Sequence, residues 1–372
     1  MLASKSGRVL AGLLLQVLAI TVAGPAAQAA DLLWRDGFEP PPAQTLWLFP
    51  NLRPGNETHF TVPPAPSSWP QALLRADVFG MYVGALSAAT PQQLQPVLAT
   101  VQQAGLDLVV ETGGLRPCFC SGSAMAAAEI PALARAEQAG IGHFLVVMDN
   151  VWSFVGNPAV NTPPAQCANG GVPACLHSPA SFADELSNYM QAIRERFPQV
   201  RFGWIESMNI YGFDGLPGLG IQGQFDLKPV IETTLDEAVL RQLPLDFFHI
   251  DAPIGGILNY PTDPMAKFRR VQNLIGSRGL RFGILLTNGG ISDVQFAMQV
   301  PAYYDCYSGS GGRLDNVIVQ SWWSQPGNPN LPLPSLFAPE SEPLSFTAVF
   351  NQVAARVDDP SLIEACPFNF QP

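Results

Sequence analysis

The chain has little charge for its length, and basic charge is the scarcest. Charged residues make up 13% of the 372 residues, and 19 lysines and arginines face 30 aspartates and glutamates, which gives a formal net charge of −11. Only three of the basic residues are lysines. Nucleic acids and anionic membrane surfaces attract clustered basic groups, so this balance argues against either of them as a partner.

Histidine is also scarce, and the motifs of several enzyme classes are missing. There are four histidines, and none lies near Cys118-x-Cys120 in the sequence, so we predict no metal site there. The glycines at 215, 218 and 220 have the wrong spacing for a nucleotide fingerprint and no strand before them. No Gly-x-Ser-x-Gly elbow occurs, which ranks a serine or thiol hydrolase last. We therefore predict no cofactor. A metal-dependent hydrolase that uses clustered acids is a further alternative, against which the lack of histidine argues.

Only the N-terminus carries a long apolar run. Lys5 and Arg8 precede the almost wholly apolar stretch 9–20, and Ala27-Gln28-Ala29 matches a small-x-small cleavage site. The apolar stretch is short for a membrane span, which favours a signal peptide at 1–29 over an anchor. No later segment has the length and apolarity to cross a bilayer. We therefore predict a secreted or periplasmic protein that is not held by the membrane after signal removal.

All six cysteines follow the predicted signal peptide, at Cys118, Cys120, Cys167, Cys175, Cys306 and Cys366. An even number in an exported protein favours disulfides over free thiols. Cys306 with Cys366 would tie the C-terminal tail to the body, and Cys167 with Cys175 would staple one loop. Cys118 and Cys120 are too close to bond each other comfortably, so one or both would instead reach Cys167 or Cys175. Six cysteines can pair in many ways, and the spacing leaves the choice open.

From residue 76 onward, short apolar runs alternate with helical segments. Seven runs are predicted to be strands, at 78–83, 108–111, 143–148, 202–205, 247–250, 282–286 and 317–320. They are solidly apolar, as expected when both faces of a sheet are covered. This alternation favours a (β/α)8 TIM-like barrel at 73–372, after a proline-rich connector at 30–72. The count is one strand short, and the eighth strand is Thr45–Phe49, an irregular segment, or absent.

Polar side chains follow the ends of the predicted strands. The candidates are Tyr82, Glu111, Asp149, Asn150, Glu206, Asn209, Asp251, Asn288, Gln320 and Trp322. Parallel strands all end at one mouth of such a barrel, so these side chains are expected to gather there. Carboxylates act on glycosidic bonds, amides bind hydroxyl groups, and an indole stacks on a sugar ring. We therefore predict a carbohydrate site in which the four acids are catalytic candidates and the other six residues bind substrate.

Each acid also has a plain structural interpretation. Glu111 and Asp251 could cap the loops that follow them, and Asp149 could form a turn. Glu206 ends a buried run, where a carboxylate is costly unless it is paired or used, and this favours a functional role. His249 lies inside a strand and is interpreted as a core histidine rather than a catalytic base.

This pattern resembles the (β/α)8 glycoside hydrolases. Many of these carry a proton-donating glutamate at the end of the fourth strand, where Glu206 falls when strands are counted from residue 78. The stretch WIESMN at 204–209 is loosely similar to the Asn-Glu-Pro of the large retaining clan. That clan has a second glutamate at the end of its seventh strand, whereas the corresponding run here ends at Gln320. The stretch PESEPLSFT at 339–347 is similar to a segment of uncharacterised bacterial barrel proteins of glycosidase type.

The resemblance implies an exported glycoside hydrolase that cleaves a polysaccharide or oligosaccharide with paired carboxylates. Glu206 would be the general acid, Asp251 the nucleophile or base, and Asp149 the reserve. The alternative is a non-catalytic carbohydrate-binding or surface protein on the same scaffold, which the missing acid at Gln320 favours. These patterns leave open the sugar, the linkage, the stereochemical course and the oligomeric state.

Overall fold

The structure is a computed structural model, and it describes part of the chain. The described residues are 43–50, 69–116, 119, 121–156, 177–219, 225–260, 262–287, 292–321, 324–325, 328–332 and 338–370. Met1–Ala43 and Gln44–Pro372 separate into two units, and every element below belongs to the second. The predicted signal peptide at 1–29 lies outside the described residues.

Eight parallel strands close into a barrel, in which each strand pairs with the next and the eighth pairs with the first. The strands are β1 (Thr45–Phe49), β2 (Val78–Tyr82), β3 (Asp107–Thr112), β4 (Phe144–Asp149), β5 (Arg201–Glu206), β6 (Leu245–Ile250), β7 (Arg281–Leu286) and β8 (Asn316–Gln320). The predicted (β/α)8 fold is confirmed. Because all eight strands run in the same direction, their C-terminal ends surround one mouth.

β1 is the strand that the sequence count was missing. It pairs in parallel with β2 and with β8, where Thr45 lies opposite Asn316 and Phe49 opposite Gln320. The barrel therefore starts before residue 73, and the predicted boundary between connector and domain is wrong at this point because β1 is needed to close the ring. The strand numbers also shift by one. Glu206 ends the fifth strand and Gln320 the eighth, so the positional match of Glu206 to a fourth-strand glutamate is lost.

Helices lie between the strands. They are α1 (Pro70–Arg75), α2 (Val83–Ala88), α3 (Pro91–Gln103), α4 (Gly122–Gln138), α5 (Val151–Val155), α6 (Pro179–Arg196), α7 (Lys228–Leu240), α8 (Ile254–Ile257), α9 (Pro264–Ser277), α10 (Asp293–Gly309) and α11 (Phe346–Asp358), followed by a 3-10 turn at Pro360–Leu362. α3 and α6 begin with capping boxes at Thr90 and Ser178, each followed by proline at the first helical position. A two-stranded antiparallel hairpin, β9 (Ser324–Gln325) and β10 (Asn328–Pro332), follows β8.

Alternate residues of each strand fill the barrel interior, and this alternation decides which strand-end side chains face the mouth. The interior core consists of Trp47, Phe49, Val78, Val109, Leu145, Val147, Ile205, Phe247, Leu285 and Ile318. Their neighbours along the strands, such as Trp204, pack in the layer between the sheet and the helices. Gly80 and Gly203 leave room for the large interior rings, because a β-carbon there would meet the rings of Phe49 and Phe247.

The C-terminal tail is tied to the body at α10. Cys306 in α10 forms a disulfide with Cys366, 60 residues further along the chain. The adjacent Asp305 is buried and accepts hydrogen bonds of 2.9 and 3.1 Å from Nε of Arg356 in α11. The predicted pairing of Cys306 with Cys366 is confirmed. The other four cysteines lie outside the described residues.

Among the described residues, no helix combines the length and the apolarity that a bilayer crossing requires.

Candidate active site

A cavity of about 170 Å³ lies at the C-terminal mouth of the barrel. Its lining consists of Tyr82, Glu111, Asp149, Asn150, Asp251, Leu285 and Gln320. Six of these seven residues are candidates that the sequence pattern selected. The ends of β2, β3, β4, β6 and β8 therefore bring their polar side chains to one place.

The two-residue period of the strands explains why these side chains face the cavity. Glu111 lies two residues after Val109 of the interior core, and Gln320 lies two residues after Ile318. Asp149 follows the interior residue of its own strand in the same way. Successive side chains of a strand point to opposite faces, so each of these residues continues an inward-facing row into the mouth.

Asn150 joins two of the carboxylates. Its Nδ2 donates to Oδ1 of Asp149 at 2.7 Å and to Oδ2 of Asp251 at 3.2 Å. These two distances add up to 5.9 Å, which is the greatest separation that the two acceptor oxygens can have. The hydroxyl of Ser207 donates a short hydrogen bond to Oδ1 of Asn150 and so orients the amide. Asn150 itself has a left-handed backbone with φ of 49°, which asparagine tolerates better than most residues.

The two carboxylates have unlike surroundings. Burial, helped by the negative charge of Asp149, raises the pKa of Asp251 to about 7, although the hydrogen bond from Asn150 opposes the shift. The carboxylate of Asp149 lies 3.7 Å from the guanidinium of Arg116, which also donates to the Asp149 backbone carbonyl at 2.9 Å. Asp251 has a raised pKa, and the neighbouring carboxylate of Asp149 faces a cation. Two such groups are suited to act as acid and base on the same bond.

The opposite wall is a small hydrogen-bonded group around Gln320. Its Nε2 donates to the hydroxyl of Tyr82 and to Oε2 of Glu111, each at 3.0 Å. Its Oε1 is buried and accepts no hydrogen bond from any described residue, and the same holds for Oδ1 of Asp251. Buried polar atoms without partners are rare in folded proteins. Both oxygens belong to residues that line the cavity, and a water or a ligand bound there would supply the missing partners.

Glu206 lies behind the barrel wall and not in the cavity. It is fully buried and points to the helix layer, because Ile205 takes the inward position. Four groups donate to its carboxylate: Trp152 N at 2.9 Å, Trp204 Nε1 at 3.2 Å, Ser153 Oγ at 2.6 Å and Ser207 N at 3.2 Å. Burial, with a contribution from the charge of Asp149, raises its pKa to about 7 against several of these bonds. The general-acid role predicted for Glu206 does not fit this position, since the side chain cannot reach a sugar at the mouth. It instead holds the start of α5 and Ser207, both of which adjoin Asn150.

Asn209 is a candidate that does not line the cavity. Asn209 is half-buried in the loop after β5, and its backbone carbonyl accepts from Leu219 N at 3.0 Å. Asn288 and Trp322 lie outside the described residues. Leu285 lines the cavity, although only polar and aromatic strand ends were selected from the sequence; its place in the apolar run 282–286 could have indicated it.

His249 is a core residue, as the sequence interpretation had it. The Asn316 side chain accepts from Thr45 Oγ1 at 2.8 Å, so its amide nitrogen donates to His249 Nε2, also at 2.8 Å. Burial lowers the pKa of His249 to about 3, which keeps the ring neutral. Its ring lies among those of Trp47 and Phe247. Within the described ranges, no group of three or more histidine, cysteine, aspartate or glutamate residues is placed to hold a metal ion.

Comparison with known proteins finds similarity to solved structures. No family model and no curated protein matches the chain. A glucosidase from Croceicoccus marinus is similar in structure, with a TM-score of 0.48 and 13% identity over 84% of this chain; the match spans 66% of that glucosidase, just under two thirds. GH5_18 from Streptomyces cattleya, solved with GlcNAc, has a TM-score of 0.48 and 13% identity over 86% of this chain and 82% of its own. D-psicose 3-epimerase from Clostridium cellulolyticum H10 has a TM-score of 0.44 and 11% identity over 87% of this chain and 100% of its own. These neighbours include glycosidases and an epimerase.

Proposed function

We propose that the chain is a glycoside hydrolase whose reacting carboxylates are Asp251 and Asp149. The observation that carries this proposal is the bridge through Asn150, which holds two carboxylates of unlike surroundings on the cavity at the barrel mouth. The predicted signal peptide would deliver such an enzyme to a polysaccharide or oligosaccharide outside the cytoplasm.

Asp251 would act as the general acid. With a pKa of about 7 it holds its proton in a neutral or mildly acidic medium. Its Oδ2 is engaged by Asn150, and its Oδ1 accepts no hydrogen bond from a described residue. A proton on Oδ1 would therefore be available to the glycosidic oxygen as the bond breaks.

Asp149 would act on the anomeric carbon. Its carboxylate lies 3.7 Å from the guanidinium of Arg116, and a negatively charged carboxylate is the form that a nucleophile or base requires. The oxygens held by Asn150 are at most 5.9 Å apart. That limit is closer to the roughly 5–5.5 Å of retaining enzymes than to the roughly 6.5–9.5 Å that leaves room for a water in inverting ones. The pair therefore fits attack by Asp149 itself and a covalent glycosyl-enzyme.

The Gln320 wall would bind the sugar. Tyr82, Glu111 and Gln320 are already joined by hydrogen bonds and present oxygen atoms to the cavity. Preorganised groups of this kind orient a sugar without a further ordering cost. Trp322 stays a predicted stacking partner.

The test is a screen of oligosaccharides with reducing-end detection, followed by two variants. Asp251→Asn and Asp149→Asn should each lower kcat by about 10²–10⁴-fold on the sugar that is cleaved. Asp246→Asn is the matched control, since Asp246 lies at the other end of β6 and pairs with Arg201 at 3.2 Å. Activity of both variants within about tenfold of wild type would refute the assignment.

The alternative is a carbohydrate-binding protein without turnover. The buried oxygens without partners favour it, because they call for a ligand but do not require a reaction. Binding of a sugar in the same screen, with no new reducing ends after prolonged incubation, would establish this alternative.

A further inference from the structure

Glu129 is a buried acid that has no part in the proposed reaction. It belongs to α4, is 6% exposed, and is not among the residues that line the cavity. Its Oε1 accepts a hydrogen bond of 2.7 Å from Gly113 N, in the segment that follows β3. Its Oε2 accepts one of 2.6 Å from the hydroxyl of Tyr189 in α6. A carboxylate is costly to bury, so these two bonds fix Glu129 and, with it, the backbone of Gly113.

Gly113 packs against the side chain of Arg116. A β-carbon at Gly113 would lie 3.1 Å from Nε and 3.2 Å from Cγ of Arg116, and 2.7 Å from Cε of Met125. Burial raises the pKa of Glu129, and the hydrogen bonds from Tyr189 and Gly113 and the charge of Arg116 all oppose the rise. Glu129 is therefore connected to Arg116 in two ways, by contact through Gly113 and by charge.

Arg116 carries this connection to the cavity. Its guanidinium donates to the Asp149 carbonyl at 2.9 Å and lies 3.7 Å from the Asp149 carboxylate. Two further acids act on that carboxylate, because burial raises the pKa of Asp251 and of Glu206 and the charge of Asp149 adds to both shifts. A cation beside a carboxylate favours its charged form, whereas neighbouring acids oppose it. The placement of Arg116 therefore affects the charge of Asp149.

We propose that Glu129 is a positioning residue, which acts through Gly113 to hold the guanidinium of Arg116 against Asp149. The inference rests on the proposed function, since it assigns the residues that would maintain the charge of the proposed nucleophile. Arg116 acts on the carboxylate directly, and Glu129 acts only through the position of Arg116.

The test follows the titration of Asp149 by NMR, which needs no substrate. Aspartate is labelled with ¹³C at the side-chain carboxyl, and the Asp149 signal is identified by its loss in Asp149→Asn. Arg116→Met should raise the titration midpoint of Asp149 by about 0.7 unit or more at low salt, which is the effect of one charge about 4 Å away in bulk water. Arg281→Met is the matched control, since Arg281 is exposed at the start of β7, and it should leave the midpoint unchanged.

Two replacements of Glu129 test the hydrogen bond to Gly113. Glu129→Met removes the acceptor and should raise the midpoint of Asp149 by about half as much as Arg116→Met, or more. Glu129→Gln keeps an oxygen for Gly113 N and can turn its NH₂ group toward the Tyr189 oxygen. Its midpoint should stay within about 0.2 unit of wild type. A loss of global stability alone would not move the midpoint in the folded protein, so this measurement separates positioning from a purely structural role.

Gly113→Ala tests the same contact without changing Glu129. The added β-carbon has to displace the Arg116 side chain, so the midpoint should rise in this variant as well. Gly142→Ala is its control, because Gly142 is exposed and a β-carbon there would meet nothing within 4 Å. Glu137→Met is the control for Glu129→Met, since Glu137 lies on the exposed face of the same helix.

The outcomes separate this inference from the proposed hydrolysis. A raised midpoint in Arg116→Met, Glu129→Met and Gly113→Ala would support the inference even if no sugar were cleaved, and the hydrolysis alone would then fail. Cleavage of a sugar by wild type, with the midpoint unchanged in Glu129→Met and Gly113→Ala, would do the reverse. An unchanged midpoint in Arg116→Met, or equal midpoints in Glu129→Met and Glu129→Gln, would also overturn the inference.

Discussion

At the scale of single residues, Asp251 and Glu206 show that a raised pKa does not by itself mark a catalytic acid. Burial raises the pKa of both side chains to about 7. Asp251 lines the cavity and keeps one oxygen without a hydrogen-bond donor, whereas Glu206 faces the helix layer and accepts from four donors. The difference follows from the alternation of side chains along a strand, and it separates the proposed general acid from a residue that positions others.

The activity of wild type should fall as the pH rises through about 7. The proposed general acid acts only while it is protonated, and burial holds its pKa near that value. A profile of kcat/KM against pH would show this descending limb. Asp251→Asn should remove it along with most of the activity. A wild-type profile that is flat between about pH 6 and 8 would contradict the role of Asp251.

Glu206→Gln should destabilise the protein and also disturb the site, although Glu206 does not line the cavity. Either orientation of the new amide turns its NH₂ group toward two donors, so we expect a loss of about 1–3 kcal/mol in the free energy of unfolding. The folded pKa of Glu206 lies above its ordinary value of 4.5, so the folded state holds the proton more tightly. This group therefore contributes stability that declines as the pH rises from about 4.5 to 7 and stays constant above that.

Denaturant unfolding at several pH values tests this expectation. The destabilisation caused by Glu206→Gln should be largest near pH 4.5 and should shrink toward pH 7. Glu137→Gln is the control, because Glu137 is a surface residue paired with Arg196, and its replacement should have little effect. A difference between Glu206→Gln and wild type that does not change with pH would argue against a raised pKa at this site.

At the scale of elements, buried polar side chains from the helices hold the loops of the mouth. Glu129 of α4 accepts from Gly113 N at 2.7 Å, in the loop after β3. Lys267 of α9 is fully buried and donates to the Met208 carbonyl at 2.6 Å, and also to the Tyr211 carbonyl, both in the loop after β5. Glu206 does the same for the segment after β4. These loops beside the cavity are thus held by hydrogen bonds to buried side chains in the layer between the sheet and the helices.

Lys267→Met should loosen the loop after β5. Burial lowers the pKa of this lysine to about 7, yet its Nζ supplies the donors for several backbone carbonyls. Loss of these Nζ donors should lower the free energy of unfolding by about 3 kcal/mol and reduce activity through the nearby Ser207. Lys228→Met is the matched control, since Lys228 is a surface lysine paired with Asp214 at 2.8 Å. Equal stability of the two variants would contradict a holding role for Lys267.

The sequence predicted the elements better than the direction of their side chains. The alternation of apolar runs with helical segments located seven of the eight strands, and the strand ends located six lining residues of the cavity. The direction of Glu206 was not visible because Trp204 and Ile205 are both apolar in a strand covered on both faces. Gly203, which makes room for Phe247, was the available clue. The bridging role of Asn150 depends on tertiary geometry that no local pattern contains.

At the scale of the whole molecule, the Cys306–Cys366 disulfide encloses β8, the hairpin and α11 in one covalent loop. Cross-linking a loop of this length lowers the conformational entropy of the unfolded chain, which in the entropic account stabilises the folded state by about 4 kcal/mol. Cys366→Ser should therefore unfold at a clearly lower denaturant concentration than wild type in oxidising buffer. Thiol reductant should bring wild type toward the variant. Equal midpoints in oxidising buffer would show that the tail adds little to global stability.

The pairing of β1 with β8 has a consequence for synthesis. The first and last strands of the barrel lie about 270 residues apart in the sequence, and Thr45 lies opposite Asn316. The barrel therefore cannot close until β8 has been synthesised. At every earlier stage the sheet has two unpaired edge strands. The nascent chain therefore depends on protection from strand pairing with other molecules until its final strand has been made.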